Sequence, residues 1–211
     1  MTDYNQLCSD FVKKTCIDRD ESHGHHHMQT VFNNSLQICL GEDITDPNII
    51  KLVSIVAWLH DVADHKYDKN GQLEQLVKDF LTTNFQPDAE LIWNIITRIS
   101  YSKEIKSKAD WELVLGSEGI LIRNIVSDAD KLEAIGKIGI ERCIQYGAEH
   151  HRHKYNEEAP RELLLKHVNE HAKEKLLLLK DHFIYTSTGK KMAEPLHNEM
   201  VLELELLNKQ I

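Results

Sequence analysis

The stretch Asp46–Asp68, DPNIIKLVSIVAWLHDVADHKYD, decides the fold. Asp46-Pro47 sets a capping side chain before a proline suited to the first helical position. Ile49, Ile50, Val53, Val56, Ala57 and Leu59 then cover nearly all sides of the segment. A helix apolar on every side is a buried one, predicted here from about Pro47 through Trp58 to the His60-Asp61 pair. Its end is crowded with ionisable groups, because Asp64, His65 and Lys66 follow directly. An isolated buried carboxylate at Asp61 is costly unless something pairs with it. A divalent cation would do so, since imidazole and carboxylate from adjacent residues can reach one ion, with further ligands from other segments. The competing reading is a helix end that simply emerges into water, and a two-residue motif does not decide between them.

Outward from this helix the apolar spacing stays helical. Tyr4, Leu7, Cys8, Phe11, Val12 and Cys16 follow the i, i+3, i+4, i+7 rule, as do Leu73, Leu76, Val77, Phe80 and Leu81, then Leu91, Ile92, Ile95, Ile96 and Ile99. No comparable strand alternation, internal repeat or low-complexity linker occurs. The loops are predicted at Gly41 to Thr45, Ser100 to Ala109 and Glu149 to Pro160. Thr188-Gly189 and Pro195 are breakers in the last third, yet Met192, Leu196, Met200, Leu204 and Leu207 keep helical spacing around them. The expectation is an all-α chain with a single core, one domain over 1–211.

Composition narrows the function. With 211 residues, 41% hydrophobic and 28% charged, the chain can bury a sizeable core. Its net charge of -9 supplies no global field for nucleic acid or an anionic membrane, so an anionic ligand needs local cations or a metal. Cys8, Cys16, Cys39 and Cys143 are widely spaced with no CxxC pair, which reads as buried thiols rather than a disulfide or zinc framework. No leader pattern and no membrane-length apolar run is present, and a cytoplasmic location is expected.

Two further segments carry ionisable groups into apolar surroundings. SHGHHHMQTV, Ser22–Val31, precedes a helix with an apolar face of Met28, Val31, Phe32, Ser35, Leu36 and Cys39. Helical phase sets His26 opposite that face and leaves His25 and His27 at its two edges, with no choice between them. A surface histidine patch is the alternative. NIVSDADKLEAIGKIGI, Asn124–Ile140, places Asp128 after Ile122, Ile125 and Val126, as a carboxylate entering the core; an N-cap role for Asp128 or Asp130 is the alternative.

Together these segments resemble the HD superfamily of metal-dependent phosphohydrolases, whose signature is a His, an adjacent His-Asp and a distant Asp. The chain resembles its small single-domain branch, which includes nucleoside triphosphate pyrophosphohydrolases. SHGHHHMQTV matches the opening block, LHDVADHKY the HD block, RISYSK a middle block, SDADKLEAIGKIGIERCIQYG the Asp block and HAKEKLLLLKDHFIYTSTGKKMAE a C-terminal helical block. The implied fold is an HD helical bundle with additional C-terminal helices packing on it, and the implied metal ligands are His27, His60, Asp61 and Asp128. Asp64, one helical turn after Asp61, matches an acidic position that orients or deprotonates the attacking water, with a salt bridge to Lys66 or Lys131 as the alternative. His65 is the next candidate for that base. Lys66, Lys103 and Lys131 are candidates for phosphate oxygens, and Tyr101 for stacking on a base or ribose.

Gly24 and Thr30 stand where this branch usually has an acidic residue and an Arg, which removes a polar support for the first ligand or a phosphate-facing cation. No histidine occurs between His65 and His150, an interval from which dinuclear HD enzymes draw extra ligands, so one divalent ion is expected, manganese or magnesium, with nickel, cobalt or zinc also accepted by such ligands. The resemblance implies hydrolysis of a nucleoside triphosphate to monophosphate and pyrophosphate. The alternatives are a nucleotide phosphomonoesterase and a non-catalytic nucleotide sensor. The partners expected are a nucleotide or other phosphate-ester substrate and, in a homodimer, a second copy of the chain, with no nucleic-acid duplex and no membrane.

Overall fold

The computed structural model describes residues 3–19, 23–68, 70–106 and 110–209. Among them there are helices and no strands, as the periodicity predicts. The chain divides into two compact units, Met1–Ala129 and Asp130–Ile211.

The first unit contains α1 (Tyr4–Thr15), α2 (His25–Gly41), α3 (Pro47–Leu59), α4 (Gln72–Asn84), α5 (Ala89–Ile96), α6 (Tyr101–Lys106) and most of α7 (Trp111–Leu132). At its centre, α3 is the buried helix that its sequence predicts: every residue from Leu52 to Leu59 is buried. Asp46 caps it by accepting the Asn48 N–H at 2.8 Å, with Pro47 in its first turn. The helices α1, α2 and α5 all pack on α3. Burial pushes the Cys8 thiol up to about 12 and the Cys39 thiol to about 11, which keeps both inert as packing residues.

Two structural features differ from the expected loops. Residues 101–106 form α6 rather than part of a loop, with the Ser100 carbonyl accepting the N–H groups of Lys103 and Glu104; the end of that expected loop, 107–109, lies outside the described residues. Glu104 explains the helix: its carboxylate is drawn to the buried Arg123 on α7 at 2.9 Å. In α7 itself, Gly116 adopts φ 63°, a left-handed conformation that kinks the helix and that a side chain would strain.

In the second unit, α8 (Gly136–Tyr155) packs on α9 (Arg161–His171) and α10 (Ser187–Lys209), with π-helical segments at Ala172–Leu176 and Leu179–Phe183. The expected loop at Glu149 to Pro160 is corrected by α8, which continues to Tyr155. Nothing in EHHRHKY breaks a helix, and polar composition alone marks a solvated face; the stop is Asn156, left-handed at φ 55°. Gly139 in α8 is required sterically, since a Cβ there would sit 2.1 Å from the Ala134 carbonyl oxygen. The predicted breakers fall inside α10: Thr186 accepts the Gly189 N–H at 2.9 Å to start it, and Pro195 is carried within it.

Candidate metal centre

Three of the four expected ligands meet. His27 from the first turn of α2, His60 at the C-terminus of α3 and Asp61 directly after it bring one donor atom each to within 4.8 Å of one another. Both imidazoles are buried and Asp61 is half-buried. Asp128 is completely buried near the C-terminal end of α7 and Asp130 lies in its last turn, so neither is an N-cap. It is not one of the three residues whose donors converge.

The local structure also separates His27 from His25, which helical phase alone does not. The His27 ring lies 5.3 Å from that of His60. His25 turns the other way, with Nε2 2.8 Å from Ser9 Oγ and its ring 5.3 Å from Trp58. Burial, then Lys13 and His26, hold the His25 imidazole below its ordinary pKa against the pull of Asp10.

The donor set suits a divalent cation. His60 Nδ1 lies 2.8 Å from the Ala57 carbonyl oxygen, which can only accept; Nδ1 therefore carries the proton and Nε2 keeps its lone pair for a metal. Two imidazoles and a carboxylate are ordinary ligands for zinc, manganese, cobalt or nickel.

The turn beyond α3 is where sequence and structure differ most. Asp64 was expected on a continuing helix one turn after Asp61, but α3 ends at Leu59 and residues 60–63 form turns. The carbonyls that would carry the next helical turn are taken: Arg19 donates from Nη1 to Asp61 O at 2.8 Å and from Nη2 to Val62 O. The Lys66 N–H, which a helix would direct to Val62 O, instead goes to Asp64 Oδ1 at 2.7 Å. Asp64 still follows Asp61 closely, because its N–H reaches Asp61 O at 3.2 Å. Its carboxylate lies 3.5 Å from His65 Nδ1, and His65 itself is largely exposed.

The expected substrate-side residues are distributed as follows. Lys66 donates to His23 Nε2 at 3.2 Å rather than pairing with Asp64, and the His23 ring lies 6.5 Å from that of His27. Tyr101 opens α6 half-buried, and Lys103 is exposed on the same helix. Lys131, in the second unit, is buried, with Nζ 5.9 Å from the centre of the Tyr185 ring. The departures Gly24 and Thr30 are the N-cap of α2, which has no side-chain cap, and a residue whose hydroxyl bonds back to the His26 carbonyl.

Three supporting residues are missing from the sequence reading. Arg19, besides bracing the turn, stacks over Tyr67 at 4.4 Å. Nothing in CIDRD marks it, since its partners are backbone atoms over 40 positions away. Arg123 and Glu104 form a sealed ion pair, with Arg123 Nε donating to the Arg98 carbonyl at 2.9 Å and the guanidinium over Trp111 at 4.5 Å. An arginine inside the apolar run GILIRNIV was a readable signal, for it demands a buried carboxylate.

Known proteins share the fold of this chain. No family model matches the chain. It is 31% identical over 208 residues to Bacillus subtilis YpgQ, covering 95% of this chain and 90% of that protein. Protein L803 of Acanthamoeba polyphaga mimivirus is 32% identical over 133 residues, 59% of this chain and 53% of that protein. Among solved structures, an HD-superfamily hydrolase from Bacillus thuringiensis superposes with a TM-score of 0.68 at 26% identity, covering 98% of this chain and 96% of the other. YpgQ in complex with ADP gives 0.68 at 22% identity, covering 98% and 94%. No helix among the described residues is long and apolar enough to cross a membrane.

Proposed function

Because the chain belongs to the HD superfamily of metal-dependent phosphohydrolases, we propose that it hydrolyses nucleoside triphosphates to monophosphate and pyrophosphate, acting as one HD domain over 1–211. The observation that carries the reading is the convergence of His27, His60 and Asp61, with the His60 tautomer set by Ala57 so that Nε2 carries the lone pair. Asp128 is the fourth proposed ligand, supported by its complete burial as a carboxylate. The nucleotide is supported by the relative YpgQ, which has been crystallised with ADP.

When bound, a divalent ion supplies Lewis acidity toward a phosphoryl oxygen and makes water a stronger acid. The protein's own groups do the rest. Asp64, fixed by the Lys66 N–H, accepts the proton of the attacking water and aims its lone pair at phosphorus, with His65 beside it as the second candidate for the base. Lys66, Lys103 and Lys131 neutralise charge on phosphate oxygens, and Tyr101 stacks on the base or ribose.

The test is a metal-by-substrate screen: manganese, magnesium, nickel, cobalt and zinc against nucleoside mono-, di- and triphosphates and their deoxy forms, reading orthophosphate and pyrophosphate separately. Pyrophosphate released from triphosphates is the expected result. Orthophosphate from monophosphates would establish a phosphomonoesterase, and thermal stabilisation by nucleotides without any release would establish a sensor.

A further inference from the structure

A second site lies within the C-terminal unit, built on one face of α8. Two i, i+4 rows make that face: Tyr146, His150 and Lys154, then Gly147, His151 and Tyr155. Leu163, Leu164 and His167 of α9 close the opposite side, leaving a groove of about 330 Å³. That is the lower end of the range for small-molecule pockets, enough for one planar ring system with the rest of a ligand reaching out through the open mouth.

The lining is selective in three ways. Tyr146 is stacked with each of two imidazoles, 6.1 Å and 24° from His150 and 6.3 Å and 28° from His167. That close approach depends on Gly147, where a Cβ would meet the His167 ring at 2.9 Å. Tyr146 and Tyr155, at the two edges of the face, are 61% and 54% exposed, large aromatic surface left in water at the mouth of a groove. Finally, the lining itself holds one lysine and three histidines, with the Glu157 carboxylate 3.5 Å from His151 Nε2, in a chain whose net charge is -9. The Lys154 ammonium is held 5.0 Å from the Tyr155 ring centre.

Ring faces stacked in this way select a planar ring, and the Lys154 ammonium beside them selects negative charge. We propose that this groove binds a small planar aromatic anion, its ring stacked against Tyr146 and His167 and its charge on Lys154. The site shares no residue with the metal centre, since every residue of it belongs to α8 or α9. The same chemistry is offered by a nucleoside monophosphate and by an aromatic carboxylate, and the test includes both.

Calorimetric titration of the metal-loaded protein with adenosine monophosphate and with indole-3-carboxylate should give saturable binding with Kd near or below about 1 mM for at least one of them, and the tighter of the two names the source. Adenosine and inorganic phosphate, which carry the ring or the charge alone, should bind at least about tenfold more weakly. Tyr146→Ala should weaken binding about tenfold, the scale of one stacking contact, and Lys154→Gln should flatten its dependence on salt. Both side chains are exposed, so the fold survives either change. Asp61→Asn, which alters the metal centre, should leave this binding intact. Binding abolished by Asp61→Asn but kept in Tyr146→Ala overturns the proposal, as does phosphate binding as tightly as the aromatic anions, or no saturation by either probe up to about 10 mM.

Discussion

Glu104→Gln is expected to destabilise the first unit far beyond what a single uncharged, nearly isosteric exchange would suggest. Both members of the Arg123–Glu104 pair are 1% exposed or less, so water does not replace a lost partner. With the carboxylate neutralised, Arg123 still has dipolar acceptors, among them the Arg98 carbonyl at 2.9 Å, Asn124 Oδ1 at 3.1 Å and, at a longer 3.5 Å, the Ile99 carbonyl. Breaking a buried pair on one side costs about 3–5 kcal/mol, and because Gln retains an acceptor the lower end, about 3 kcal/mol, applies here. For a chain of this size that corresponds to a fall in Tm of about 6–12 °C. Thermal unfolding followed by tryptophan fluorescence is the suitable assay, since Trp58, Trp93 and Trp111 all lie in the first unit. The double variant Glu104→Leu, Arg123→Met should recover most of the loss, because removing both charges leaves no buried ion uncompensated. A Glu104→Gln protein that melts within about 2 °C of the parent would mean that water reaches the pair. A double variant that melts as early as the single one would mean that shape, not charge, holds α6 to α7.

Asp64→Asn should retain the metal and lose turnover by about 10²-fold, the usual scale of a positioned acid–base group; early melting with normal hydrolysis would assign Asp64 to structure and leave His65 as the base. His60→Ala and Asp128→Ala should each lose the ion, measured as metal per chain by mass spectrometry, from a starting value close to one; two tightly held ions in the active protein would overturn the mononuclear reading. Occupancy should fall as pH drops below neutral, because protons compete with a metal for imidazole, and occupancy constant from about pH 5 to 8 would argue against histidine ligation. Arg19→Met, which keeps the contact with the Tyr67 face but donates nothing to Asp61 or Val62, should weaken metal binding about tenfold, as outer-sphere losses do. A fall in Tm with unchanged metal affinity would make Arg19 structural only.

The parts of the fold that were legible are those where one short-range rule applies. Asp46-Pro47 and an unbroken apolar run gave α3 to within a residue of its end, and the carboxylate after Ile125 and Val126 marked Asp128 as a core acid. Reading failed where long-range partners decide. The α6 helix was hidden because the donor that holds it, the Arg123 guanidinium, is 19 positions from its acceptor Glu104, and a six-residue helix has little propensity signal of its own. The last two turns of α8 were hidden by polarity, which reports solvent exposure rather than helix breaking. The choice of His27 over His25 could not follow from phase, because both flank the apolar face; the ring that His60 presents settles which of them faces the ionisable pair. Asp64 was assigned to a helix because apolar periodicity carries no information on which backbone carbonyls another segment will occupy.

That last failure explains how the site is made. A helix end leaves its final carbonyls without intrahelical partners. In α3 one of them, Ala57 O, is used to fix the His60 tautomer, and just beyond the helix the Asp61 and Val62 carbonyls are held by Arg19. The Asp61 carbonyl accepts the Asp64 N–H at 3.2 Å as well as Arg19, closing a turn where a helix would have bonded it to His65. The same termination places the partial negative charge of a helix C-terminus, roughly half an elementary charge, beside the converging donors, which favours a cation there before any ligand carboxylate is counted. The buried helix with which the sequence begins its argument is thus more than a scaffold for His60 and Asp61. Its end supplies the hydrogen-bond acceptor that sets the imidazole and part of the field that attracts the ion. The turn that replaces a further turn of α3 is the one whose Asp61 and Val62 carbonyls Arg19 holds.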